Sequence, residues 1–211
     1  TRIMNALTVT VTIALLAMVV ATVLGTLAAI GIHAMKKRPQ SFMMTLTNLP
    51  NTMPDIVTGI SLMLLFLFTK VDRGYVTMLL AHITFDTPYV ILSVLPKLKQ
   101  MNRHTYEAAL DLGATPMYAL FHVIIPECMP GIITGAVLVF TGAMTAYTTP
   151  QLLGGNSNMV MATLIYQRAM SVSDWTGASV IALIMIVVTL VVIKGFNALA
   201  ARLDRRGEDY A

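Results

Sequence analysis

Thr105–Gly131, TYEAALDLGATPMYALFHVIIPECMPG, is the most polar long stretch in a chain otherwise dominated by apolar residues. It reads as two short helices around a glycine. Asn102 or Thr105 can cap the first helix, because a side-chain oxygen there accepts a backbone N–H that the first turn leaves unpaired. Tyr106 to Leu112 holds good helix formers, with Ala108, Ala109 and Leu110 at its centre. Gly113 supplies the left-handed stop. Thr115 can cap the second helix, with Pro116 at its first position. Pro126 and Pro130 are expected to end that helix and turn the chain back towards its apolar part. Residues 102–130 then form a compact helix–glycine–helix knob that could insert into a groove on a soluble partner. An ordinary connecting loop lying on lipid headgroups fits the same pattern.

Composition says what the knob is attached to. Of 211 residues, 56% are hydrophobic and 11% charged, and mean hydropathy is +0.75. A soluble domain carries about 25% charged residues. The deficit, with long uncharged runs, predicts an all-α, polytopic helical membrane protein. Sixteen methionines suit adaptable packing between helices. Cys128 is the only cysteine, so an internal disulfide is excluded and a metal cluster is not expected. The first residue is Thr1, and the chain is expected to be part of a longer protein. Its first apolar run is no secretory signal peptide, being too long and followed, not preceded, by basic residues.

Ile3 to Met35 contains no Asp, Glu, Lys or Arg, ample for one span of about 20 residues. MKKRPQ ends it. A second stretch, Ser41 to Phe68, is broken by Pro50 and Pro54, and the polar turn KVDRG follows. Further spans are expected over Tyr75 to Leu95, Gly131 to Tyr147 and Trp175 to Ile193, with Asn158 to Met170 a helix partly inserted at the surface. With residues 102–130 on the cytoplasmic side, that side receives Lys36, Lys37, Arg38, Lys97, Lys99, Arg103, Lys194, Arg202, Arg205 and Arg206. The other side receives Arg2, Lys70, Arg73 and Arg168. Lys and Arg favour the cytoplasmic face, which places Thr1 and the Leu152 loop outside and Trp175 at the outer interface. About five spans are expected here and six in the full protein. No internal repeat stands out, and residues 1–211 read as one domain.

The pattern of Glu107, Ala108, Ala109, Gly113, Val123, Ile125 and Pro126 resembles the EAA loop of bacterial ABC importer permeases. Glu, Ala, Ala, Gly and Pro at those offsets arise together by chance at about one position in a million. MPDIVTGISLMLLF and AHITFDTPYVILSVLPKLKQM resemble the spermidine/putrescine importer permeases, particularly the C-type subunit; TTPQLLGGNSNMVMATLIYQRAMSVSDWTGAS is more like the B-type. The resemblance implies a type I ABC importer transmembrane domain in the bacterial inner membrane. It implies that residues 102–130 couple to a nucleotide-binding subunit. Glu107 would offer a carboxylate to a basic group there, Ala108 and Ala109 would permit close approach, and Gly113 would make the turn. The implied partners are a second permease subunit, two copies of an ABC ATPase, and an extracytoplasmic polyamine-binding protein. ATP and Mg would sit on the ATPase and no cofactor on this chain, consistent with its lack of a G-x-x-x-x-G-K-[ST] loop. The chain is therefore expected to be a non-catalytic subunit.

Asp55 and Asp86 are the informative acids inside apolar stretches. An unpaired carboxylate at the bilayer centre costs about 2.5–3.5 kcal/mol by insertion scales, so such groups face water or a protein partner. No Lys or Arg shares those stretches. A path lined by carboxylates and aromatic faces, with Tyr89 and Tyr147 as neighbours, suits a polycation. Helix capping is the rival reading for both acids: Asp55 follows Pro54, and Asp86 could cap a helix restarting at Thr87. Gly131, Gly135 and Gly142 form a small-residue stripe for close packing, perhaps against a second permease. His33, His82, His104 and His122 are scattered, which points away from a metal; His82 reads as a packing or pathway group. The basic clusters suit anionic lipid headgroups better than nucleic acid. Rival readings are an importer of the same class for iron, thiamine or an oxyanion, and an ion-coupled carrier using Asp55 and Asp86 as its relay.

Overall fold

The computed structural model describes residues 2–155 and 158–208; the side chains of Arg103 and of residues 199–208 lie outside that description. Three charges of the sidedness argument, Arg202, Arg205 and Arg206, therefore fall outside the described side chains, as does that of Arg103. All regular structure among the described residues is helical.

Ten α-helices follow in order: α1 (Arg2–Ala34), α2 (Lys37–Thr52), α3 (Asp55–Phe68), α4 (Tyr75–Gln100), α5 (Arg103–Asp111), α6 (Pro116–Ala119), α7 (Ile125–Thr145), α8 (Thr148–Leu153), α9 (Met161–Tyr166) and α10 (Trp175–Glu208). Wide π-helical turns at Leu120–Ile124 and Gln167–Ser171 follow α6 and α9. Four segments are long and apolar enough to cross a bilayer: Arg2–Ala34, Tyr75–Gln100, Pro116–Thr145 and Trp175–Ala198. A fifth crossing exists only if α2 and α3, bent by 102° at their junction, count together.

That bend has a local cause. A residue before proline is pushed out of the helical region. Met53, before Pro54, is extended at φ −88°, ψ 145°. Pro50 does not break the chain as expected; it sits in the last turn of α2, where the helix carries it. The expected helix end at Pro126 and Pro130 is likewise corrected. The chain stays helical from Pro116 to Thr145, and the span begins well before Gly131. Here the Ile125 N–H reaches the Leu120 carbonyl, five residues back. The wider turn gives the Pro126 ring room where a regular turn would set it against the carbonyl four residues back.

The core is a three-helix contact of α1, α4 and α7. The buried face of α1 runs through Ala14, Ala17, Ala21, Gly25 and Ala29. Small residues at that spacing let helix backbones approach closely. Val90 of α4 is the knob: a Cβ added to Gly25 would stand 2.5 Å from the Val90 Cβ, and one added to Gly135 would stand 3.0 Å from its Cα. A Cβ on Gly131 would meet the Ser93 carbonyl oxygen at 2.7 Å. The glycine stripe of α7 therefore packs on α4 of the same chain at Gly131 and Gly135, not on a second permease.

The two ends of the bundle are pinned differently. At one end the buried Thr10 hydroxyl accepts the Met161 N–H at 2.9 Å, capping α9 from α1. Thr77, in the first turn of α4, donates to the carbonyl of Leu153, the last residue of α8, at 2.9 Å. At the other end, His33, Lys36, Met101, Tyr106 and Glu107 border one cleft, so α5 lies under the ends of α1 and α4. The outer faces of α3 and α10 stay apolar and exposed, as at Leu64, Leu65, Leu183 and Val187.

Candidate functional site

Two regions concentrate the residues singled out by sequence. The first is the hairpin. Asn102 is the cap of α5, its side chain accepting the His104 N–H at 3.1 Å. Thr115 caps the next helix and accepts the Tyr118 N–H at 3.3 Å. Gly113 has φ +87°, in the left-handed region. The Gly113 N–H bonds the Leu110 carbonyl at 2.9 Å and the Ala114 N–H bonds the Ala109 carbonyl at 3.0 Å. This reciprocal pair satisfies the last carbonyls of a helix. Ala109 thus contributes a backbone acceptor as well as a small side chain.

Glu107 projects outward with its side chain 63% exposed, 3.4 Å from the His104 Nδ1. Ala108 and Pro126 are exposed, while Val123 and Ile125 are half-buried and join the hairpin to α7. Sequence reading missed an apolar crown on the same knob. Leu112, Met117, Tyr118 and Phe121 are all exposed, and the Tyr118 and His122 rings stack at 3.9 Å. The signal was present as apolar residues flanking Gly113.

The second region is a cavity of about 450 Å³ that brings Asp55, Asp86, Tyr89 and Tyr147 together. Four residues separated by up to 92 positions converge because α3, α4 and the start of α8 meet α7 there. Asp55 is exposed, in the first turn of α3, where the helix dipole favours its charge. Asp86 is 6% exposed and lies in the interior of α4. The expectation that it caps a restarted helix is therefore overturned: α4 runs unbroken through Thr87 and Pro88. Its position, eleven residues beyond Tyr75, puts it about 17 Å along the helix. No Lys or Arg is among the residues lining the cavity. His82, one turn before Asp86, also lines it. The His82 Nδ1 is 3.5 Å from the Asp86 Oδ2, with both side chains buried. The i, i+4 spacing was the signal for this pair. Tyr147 packs against Tyr166 with ring centroids 4.8 Å apart.

This arrangement offers a chamber lined by two carboxyl groups and aromatic faces, and a separate protruding knob that turns at Gly113. Residues 21–207 match the family model described as "Binding-protein-dependent transport system inner membrane component". The chain is 34% identical to the putrescine transport system permease protein PotI of Escherichia coli (strain K12), over 96% of this chain and 74% of that one. It is 32% identical to the spermidine/putrescine transport system permease protein PotC of the same organism, over 90% and 71%. Among solved structures, it superposes on a bacterial alginate ABC transporter with TM-score 0.78 at 18% identity, over 95% of this chain and 79% of that one. It superposes on the MetNI methionine ABC transporter with TM-score 0.77 at 14% identity, over 97% and 95%. The expected importer fold and the resemblance to polyamine permeases are both borne out. The chain is a multi-pass protein of the bacterial inner membrane and belongs to the family of binding-protein-dependent transport system inner membrane components.

Proposed function

We propose that this chain is a permease subunit of an ATP-driven importer of putrescine or spermidine. The observation that carries this reading is the cavity, which gathers two carboxylates and two tyrosines without a lysine or arginine among its lining residues. A flexible polyammonium ion finds opposite charge and ring faces there. The named substrates of the two relatives support the same class.

Residues 102–130 act as the lever. Glu107 and the small Ala108 and Ala109 meet a cleft on an ATPase subunit, Gly113 sets the turn, and Val123, Ile125 and Pro126 carry its displacement into α7. The unbroken helix from Pro116 to Thr145 supports this role, since a push on the knob reaches the cavity wall at Thr141 and Thr145 directly. The complex has a second permease, two ATPase copies holding ATP and Mg, and an external polyamine-binding protein. Closure of the ATPases switches access by moving the knob as a rigid body.

The test is ATP hydrolysis and uptake by the assembled complex in liposomes, across a panel of solutes. Putrescine or spermidine should stimulate both, and only with the binding protein present. Stimulation by iron, thiamine or an oxyanion instead, or uptake driven by an ion gradient without ATP, would refute this reading.

A further inference from the structure

We infer that the break between α2 and α3 is a second ammonium subsite, built from Asp55, the Asn51 side chain and the backbone carbonyls at the end of α2, so that one diamine is held at both ends, by the break and by Asp86. The inference rests on the polyamine reading and adds to it a second point of attachment and a reason for preferring a two-ended amine.

The break frees acceptors. In an unbroken helix each carbonyl is taken by the N–H four residues on. Pro54 has no N–H, so the Pro50 carbonyl loses that partner. The Met53 N–H goes to the Leu49 carbonyl and the Val57 N–H to the Pro54 carbonyl, and neither reaches Pro50 or Asn51. Among the described residues, the Pro50 and Asn51 carbonyls and the Asn51 side chain make no hydrogen bond, and the Asp55 carboxyl makes no hydrogen bond or ion pair. Pro50, Asn51 and Asp55 all line the cavity.

The break also gives this end of the cavity its sign. The last carbonyls of α2 are the negative end of its macrodipole. α3 departs at 102° to α2 and so does not continue its ladder of bonds. Asp55, the first residue of α3, adds a carboxyl group. An ammonium group brings only donors, and these residues offer it acceptors. Interrupted helices inside membranes present freed carbonyls to cations in the same way.

The other end is fixed elsewhere. Asp86 lies on the core helix α4, with its Oδ1 towards Gly142, where an added Cβ would stand 3.7 Å away. Gly142 lines the cavity and puts no side chain before that oxygen. Phe85 and Leu138 line the same cavity and suit the carbon chain that joins two ammonium groups. By contrast, α2 and α3 bury one residue each, Thr47 and Gly59. One subsite therefore sits in the packed core and the other on a loosely held pair of helices. A ligand with two ammonium groups makes the second contact without a second cost of association, and a monoamine cannot.

The test compares putrescine with butylamine, which has the same carbon chain and a single ammonium group. Each amine is titrated against labelled putrescine on the assembled, nucleotide-free complex without the binding protein. The wild type should prefer putrescine by about tenfold or more. In Asp55→Asn the preference should fall to about twofold, the statistical advantage of having either end to offer. Asn51→Ala should lower it in the same direction, and Asp55→Glu should keep most of it. A purely structural role for Asp55 would weaken both amines alike and leave the preference unchanged. A wild type that takes up putrescine in liposomes yet prefers it by about twofold or less, or shows no measurable binding of it, overturns the two-ended grip alone. So does the wild-type preference persisting in Asp55→Asn or Asn51→Ala. Failure of the wild type to take up putrescine with ATP and the binding protein present overturns the polyamine reading and this inference with it.

Discussion

Gly25→Ala and Gly31→Ala should have opposite effects, although both place the same methyl group on the same helix. Alanine is favoured over glycine in a helix interior by about 1 kcal/mol, and both variants gain that. They differ in what the methyl meets. At Gly31 nothing lies within 4 Å. At Gly25 the new Cβ would lie 2.5 Å from the Val90 Cβ, 2.8 Å from its Cγ1 and 3.1 Å from the Thr87 carbonyl oxygen. Carbon atoms settle at about 3.5–4.0 Å, so α1 and α4 must separate by about 1 Å. Overpacking of this kind costs about 1–3 kcal/mol. With a contact made through Cβ and not a flexible side-chain end, the upper part of that range applies. The net effect is a loss of about 2 kcal/mol for Gly25→Ala and a gain of about 1 kcal/mol for Gly31→Ala. For a chain of this size 1 kcal/mol moves an apparent Tm by about 2–4 °C. Thermal unfolding of the purified permease in detergent should therefore show Gly25→Ala about 4–8 °C lower and Gly31→Ala about 2–4 °C higher. Val90→Gly removes the opposing side chain. Combined with Gly25→Ala, it should cost less than the sum of the single changes by about 1 kcal/mol or more. Equal Tm values for the two alanine variants, or strict additivity with Val90→Gly, would refute the close α1–α4 contact.

Three further outcomes follow from single contacts. Thr10→Val leaves the buried Met161 N–H without its acceptor, which should cost about 1–3 kcal/mol in thermal unfolding; Thr12→Val, whose hydroxyl bonds only its own helix, should cost less. Gly113→Val forces a β-branched residue to φ +87°, at about 1–2 kcal/mol of strain. Because nothing lies within 4 Å of its Cβ, the loss should appear as lower uptake per ATP hydrolysed, with assembly retained. The Gly177 N–H and the Arg168 guanidinium hold the Asp174 carboxyl below the usual carboxylate range. A depressed value in the fold contributes stability above the ordinary carboxylate pKa, lost as pH falls through the folded value. Stability should therefore drop in acid below about pH 4, and Asp174→Asn should flatten that part of the profile.

The hairpin was legible because its signals are local. Asn102, Gly113, Thr115 and Pro116 each act on backbone groups within a few residues of themselves. The prolines were read less well for the same reason. Pro54 broke its helix and Pro50 did not, and Pro126 was absorbed by a π-helical turn that no residue type announces. The small-residue face of α1 was hidden by its surroundings: in a helix apolar all round, lipid and core read alike, and only side-chain size distinguishes them. The glycine stripe of α7 was visible, but its partner was not, since the choice between α4 and another subunit depends on tertiary packing. The acids were found by their rarity in apolar sequence, whereas their convergence with Tyr89 and Tyr147 depended on how α3, α4 and α8 fold around α7.

Putrescine uptake by the reconstituted complex carrying Asp86→Asn most directly tests the central claim that the α4 carboxylate is the membrane-depth cation site. Removing the charged partner of a desolvated pair costs about 2–5 kcal/mol, so the KM should rise about thirtyfold or more while assembly with the ATPase and basal hydrolysis persist. A KM for putrescine equal to that of the wild type, in an assembled and hydrolysing complex, would contradict it.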